Sequence, residues 1–196
     1  MECPDQCWLP HILPIAKDHA RLEKMPLPAI GIINFSQQTQ HYLYHLPVYK
    51  RNPNLYITAQ FLQIQSVLSG MAPSTRPHTL WCQLDNYAKE NKNRWFFGFA
   101  SLLVHWKWFK CVQISFLPPG HSYNIVDQMF STGAIILTCK SAFSIPSLVS
   151  LVDKAYIKET TKPGQSFLPC VFNWSGWMGP YMPDLEGHSS LLVFLF

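Results

Sequence analysis

One run, residues 80–131, constrains this chain more than any other, because it reads as strand, helix, strand, sharp turn and helix. LWCQLD is short and apolar with one polar interruption, which suits a buried strand. Residues 88–109 are strongly apolar and free of proline, so the pattern predicts a helix. CVQISFL predicts a second buried strand, ended by Pro118, Pro119 and Gly120, which cannot continue a ladder. Strand, crossover helix and strand in this order predict a βαβ unit whose two strands are parallel neighbours.

Chemistry enters at the ends of these elements. Asp85 closes the first strand, Asn86 follows it, and Asp127 falls near the start of the last helix. Ligands of open α/β sheets gather beyond the carboxyl ends of the strands. Two carboxylates at the tips of strands about 5 Å apart can share a hard cation, Mg²⁺ or Mn²⁺ rather than Zn²⁺. The same residues also suit plain helix starts: Asp85 and Asn86 at a positive dipole end, and Asp127 three residues after Asn124. Spacing alone leaves both readings open.

The run LDN-x3-ENKN, then SFLPPGHS, then DQMF resembles the transposon-derived domain found in many eukaryotic genomes. The match is dense over residues 78–131: Asp85, Asn86, Glu90, Asn91, Lys92, Asn93, Gly120, His121, Asp127 and Phe130 all fall in place. The resemblance implies an α/β fold, a ribonuclease H-like mixed sheet flanked by helices and truncated in its early strands. It further implies an integrase-type or DDE-transposase-type core in which three acids hold two metal ions for phosphodiester cleavage or strand transfer. Asp85 becomes the second acid and Asp127 the third, both as metal ligands.

The first acid should close the upstream strand in AIGIINFSQQ, where the family pattern meets Asn34 and Phe35. Asn34 precedes Asp85 by 51 residues, which suits such a core, but it carries no charge. Two divalent ions beside two carboxylates are poorly compensated, and losing a ligand of this kind costs orders of magnitude in rate. The resemblance therefore implies a two-metal nuclease or strand-transferase with a degenerate first acid, dependent on Mg²⁺ or Mn²⁺ where active. It also implies DNA or RNA as partner and an intracellular, nuclear setting. His121, at the bend before the third-acid helix, is a candidate to orient water or contact phosphate, or to cap the turn. Lys89, Lys92, Asn93 and Arg94 are candidates to meet backbone phosphates, or to form a solvated helix face. Two other readings stand beside this one: a non-catalytic interaction module on the same scaffold, and an eroded fragment without selected activity.

Charge permits nucleic-acid binding without demanding it: the net charge is +4, with basic clusters at Lys89, Lys92 and Arg94 and at Lys107 and Lys110. With 48% hydrophobic and 13% charged residues, 196 residues can bury one substantial core. The six cysteines suggest no disulfide framework, so the pattern favours a reducing compartment. Cys82 and Cys111 read as small hydrophobes in buried strands, and Cys3 and Cys7, even with His11, lack the fourth ligand of a zinc site. The longest apolar stretch, residues 95–106, is too short to span a bilayer, and no membrane association is expected.

The remaining chain divides into an irregular lead-in over 1–28 with a short helix at 15–23, a core over 29–160, and a C-terminal loop and strand over 161–196. Within it, AIGIINF predicts a central strand, LYHLPVY an edge strand demoted by Pro47, and NLYI a third strand. Residues 59–68 predict a helix stopped at Gly70. A break at 142–146 precedes another helix from Ser147, then an aromatic-rich loop, and LLVFLF predicts a last strand.

Overall fold

The computed structural model describes residues 8–13, 23–85, 91–118, 125–157, 162–184 and 193–196. The chain is mixed α/β and clusters into two compact units, Met1–Tyr49 with Ser122–Pro169 and Lys50–His121 with Cys170–Phe196. Among the described residues no helix is long and apolar enough to cross a membrane.

The first unit holds a two-stranded pair, β1 (Trp8–Leu9) and β2 (Met25–Pro26), and a three-stranded sheet. In that sheet β3 (Ala29–Asn34) pairs antiparallel with β4 (Thr39–Tyr44), which pairs parallel with β7 (Gly164–Phe167). The unit also holds helices α3 (Ile125–Leu137) and α4 (Ile145–Ala155). The β3–β4 turn is built locally: Asn34 Oδ1 accepts the Gln37 N–H at 3.1 Å, and Gln38 closes the turn at φ 52°. β3, expected to be central, is an edge strand. The central place belongs to β4, which ends at Tyr44, three residues before Pro47 can interrupt its ladder. α4 begins earlier than the expected Ser147. Ser144 caps it in a capping box with Ser147, and Pro146 falls in the first turn, where its missing N–H costs nothing. The helix expected at 15–23 falls almost wholly outside the described residues.

Aromatic hydroxyls set the packing in this unit. Tyr42 donates to Met129 O at 2.6 Å, its hydroxyl lies 2.9 Å from that of Tyr156, and its ring meets Phe130 edge-on. Gly31 stands opposite Tyr42 in the ladder, so the sheet offers a shallow place beside a large ring, and α3 settles into it. His11 ties the N-terminal segment down through its bridge to Ala142 and an Nε2 contact of 2.6 Å with Leu137 O.

The second unit carries the predicted βαβ element. β5 (Thr79–Leu84) pairs parallel with β6 (Cys111–Phe116), α2 (Arg94–His105) makes the crossover, and β8 (Val193–Leu195) adds antiparallel to β6. One face of this sheet meets α2 through Leu84, Val112, Ile114 and Phe116, packed against Phe96, Phe97, Phe99 and Leu103. Phe194 of β8 faces inward, its ring centroid 4.4 Å from that of Phe97. The unit also holds α1 (Pro53–Ser69) and α5 (Trp174–Met178).

Two expectations in this unit shift for local reasons. NLYI is helical: Asn52 accepts the Leu55 N–H at 3.3 Å and Pro53 opens the first turn, a start signal stronger than the β propensity behind it. α2 spans twelve residues of the expected 88–109, starting at its cap Asn93 and ending in a Schellman motif. In that motif Lys107 N donates to Val104 O and Trp108 N to Leu103 O, at 2.9 and 3.0 Å, with Lys107 left-handed at φ 59°. Among the described residues the strands form three small sheets, where a ribonuclease H-like core predicts one: β3 and β5 are edge strands of different sheets.

Candidate functional site

Each expected acidic position occupies the kind of place the sequence suggested. Asp85 follows the last residue of β5 and is half-buried. Asp127 lies in the first turn of α3 and is half-buried, and Asn34 ends β3. Within the first unit, the strand that ends at Asn34 and the helix that carries Asp127 pack directly. A Cβ built on Gly31 would lie 2.6 Å from Val126 Cγ1, next to Asp127 in sequence. Asp85 belongs to the other unit. His121, Asn86 and Glu90 lie outside the described residues.

Asn34 has a second occupation. Its Oδ1 holds the Gln37 N–H, and its Nδ2 lies 3.5 Å from Gln37 Oε1, so the amide organises the hairpin turn. This accounts for the asparagine without reference to a metal. Among the described residues, no three His, Cys, Asp or Glu side chains gather into a metal-holding group.

The expected basic, phosphate-facing side of α2 is not an open one. Lys92 is only 3% exposed, with its Nζ 5.3 Å from the Phe116 ring centroid. Asn93 is the helix cap, accepting the Phe96 N–H at 3.1 Å, which leaves its oxygen engaged with the backbone. Arg94 pairs with Asp184 and lies over the Trp95 ring at 4.4 Å. Lys89 lies outside the described residues. Burial of a lysine against an aromatic ring, a cap and an ion pair each replace the solvated surface that spacing alone had suggested.

Among the described residues, His41, His45 and Cys82 read as structural. His45 is buried with Nδ1 3.1 Å from Leu46 O, and burial lowers the pKa of His41, which stacks over the bare backbone of Gly164. Cys82 is half-buried as a residue, but it lines a core cavity and burial pushes its thiol up to about 12. That cavity, about 10 Å³ among Ile64, Phe99 and Leu103, holds the volume of roughly one water and is walled by apolar groups. It accommodates no substrate.

The sequence marked Lys107 and Lys110 as a basic cluster, but the aromatic residues interleaved with them were passed over. HWKWFK, residues 105–110, alternates aromatic and basic residues at the end of α2. Its two tryptophan rings, 5.7 Å apart, join Phe61, Phe172 and Trp177 in one aromatic array within the second unit. The alternation was visible in the letters, but reading residues 88–109 as one continuous helix hid it.

The fold places the molecule among mixed α/β proteins with a βαβ element. The chain belongs to the family described as a domain of unknown function, DUF7869, whose model matches residues 17–196. No curated protein and no solved structure matches the chain.

Proposed function

We propose that this chain is a transposon-derived, ribonuclease H-like domain, descended from a two-metal nuclease or strand-transferase and impaired at Asn34. The observation that carries the reading is positional. The parallel β5–β6 pair with its α2 crossover presents Asp85 directly past a strand end, and α3 presents Asp127 in its first turn. The packing of α3 on the strand that ends at Asn34 supports the same assignment for the first position.

The donors do not fit a complete two-ion set of Mg²⁺ or Mn²⁺. Asn34 brings a neutral amide whose oxygen already holds the turn, so only two of the three expected carboxylates remain. No metal-dependent step is assigned to the native chain. The same ancestry carries DNA or RNA as partner and a nuclear setting. The two aromatic and aliphatic cores count against an eroded fragment, which would give no cooperative unfolding transition.

Asn34→Asp with Mn²⁺ and an oligonucleotide substrate tests the reading. Nicking that exceeds the native chain by orders of magnitude, and that Asp85→Ala abolishes in the same background, is the expected result. A folded Asn34→Asp protein without cleavage, or cleavage indifferent to Asp85, overturns it.

A further inference from the structure

The aromatic array at the C-terminal end of α2 is partly open to solvent. Trp177 is 54% exposed and Phe172 42%, while Phe61, Trp106 and Trp108 are half-buried. Phe61 stacks on Trp108 at 5.6 Å and 21°, and Trp106 lies 6.5 Å from Trp177, so the rings form one connected array that reaches the surface at Phe172 and Trp177. Isolated exposed aromatics need no explanation, but a contiguous aromatic patch marks a binding surface.

Lysine at position 107 sharpens the point. The left-handed end of a Schellman motif is normally glycine, because any β-carbon there costs about 1–2 kcal/mol. This chain places an exposed lysine at that position, between the two tryptophans, at φ 59°. A strained, exposed lysine flanked in sequence by two tryptophans is an outlier from which a binding role is argued. Lys110 and His105 are exposed on either side of it in sequence.

Charge points the same way. The second unit carries eight Lys or Arg against four Asp or Glu, and the first carries seven against seven. The whole excess of +4 therefore lies on the unit that bears the array.

From these observations we infer that the surface formed by Trp106, Lys107, Trp108, Lys110, Phe172 and Trp177 is a binding site for single-stranded nucleic acid. Unpaired bases stack on the rings and phosphates meet the lysines, a combination that tolerates any sequence. Duplex DNA, with its bases already stacked, has nothing to offer the rings. The site needs no metal and stands apart from Asp85 and Asn34 in its chemistry, so it does not depend on the nuclease ancestry.

The test is quenching of tryptophan fluorescence in the full chain by oligothymidylate, in EDTA. Binding is expected to weaken steeply between about 50 and about 200 mM salt. Trp177→Ala should lose about tenfold in affinity, within the range of one stacked base. Lys107→Gly suits the left-handed backbone, so it keeps or improves the fold while weakening binding several-fold and lowering the salt slope by about one. Binding is read on the native chain in EDTA, without Asn34→Asp, which separates this result from any failure to restore cleavage. Native affinity in both Trp177→Ala and Lys107→Gly, equal or tighter binding of duplex, or binding of phosphatidylserine vesicles without oligonucleotide would each overturn the inference.

Discussion

Gly31 and Val126 stand so close that a β-carbon on the glycine would come within 2.6 Å of Val126 Cγ1. Met129 Cε and Phe130 Cε2 would follow at 2.8 and 2.9 Å. Three side chains of one helix thus rest on the single position of β3 that has none, and this contact sets how α3 lies over the sheet.

Gly31→Ala is therefore expected to destabilise the protein by about 1–3 kcal/mol, the cost of overpacking a closed contact. Gly70→Ala is the control, since the nearest atom to its added carbon, Val67 O, is 3.7 Å away. Urea melts of the two variants should separate clearly. Equal midpoints would mean that α3 does not rest on β3 as described.

A buried hydroxyl does comparable work in the second unit. Thr58 Oγ1 donates to Asn54 O at 2.7 Å and accepts from both Phe172 N and Trp174 Nε1 at 3.0 Å. Thr58→Val keeps the shape and strands two buried donors, so a loss of about 2–4 kcal/mol is expected. Thr58→Ser keeps the oxygen and should lose much less. Thermal unfolding of the pair checks this, and equal losses would show that the methyl group, not the hydroxyl, matters.

His41 makes stability depend on pH. Burial lowers its pKa below the ordinary 6.5, so the unfolded chain takes the proton first. Its contribution is whole above the ordinary value and is lost as pH falls from there through the lowered folded value. Denaturation midpoints should decline with acidification in that window, and His41→Asn should flatten the decline. An unchanged slope in the variant would assign the dependence to other groups.

Much of the second unit was legible in the letters. Two apolar runs joined by a long apolar helix leave few alternatives to a parallel βαβ unit, because a right-handed crossover is the economical way to bury all three. Asp85 and Asp127 were placed at a strand end and a helix start by local periodicity alone, and that is where they lie. The helix starts at Asn52 and Ser144 were equally present, as Asn-Pro and as Ser spaced three from Ser, but a propensity for strand and a proline taken as a break masked them.

What this sequence by itself determined is local: which segments are helix or strand, where they begin, and which residues sit at their ends. Periodicity and capping involve neighbours within a turn or two, and those neighbours are adjacent in the chain. Tertiary structure alone decided that β3 is an edge strand, that Lys92 is buried against Phe116, and that Trp106, Trp108 and Trp177 share one surface. Pairing partners and burial depend on segments tens of residues apart competing for the same face, and no short window of sequence contains that competition.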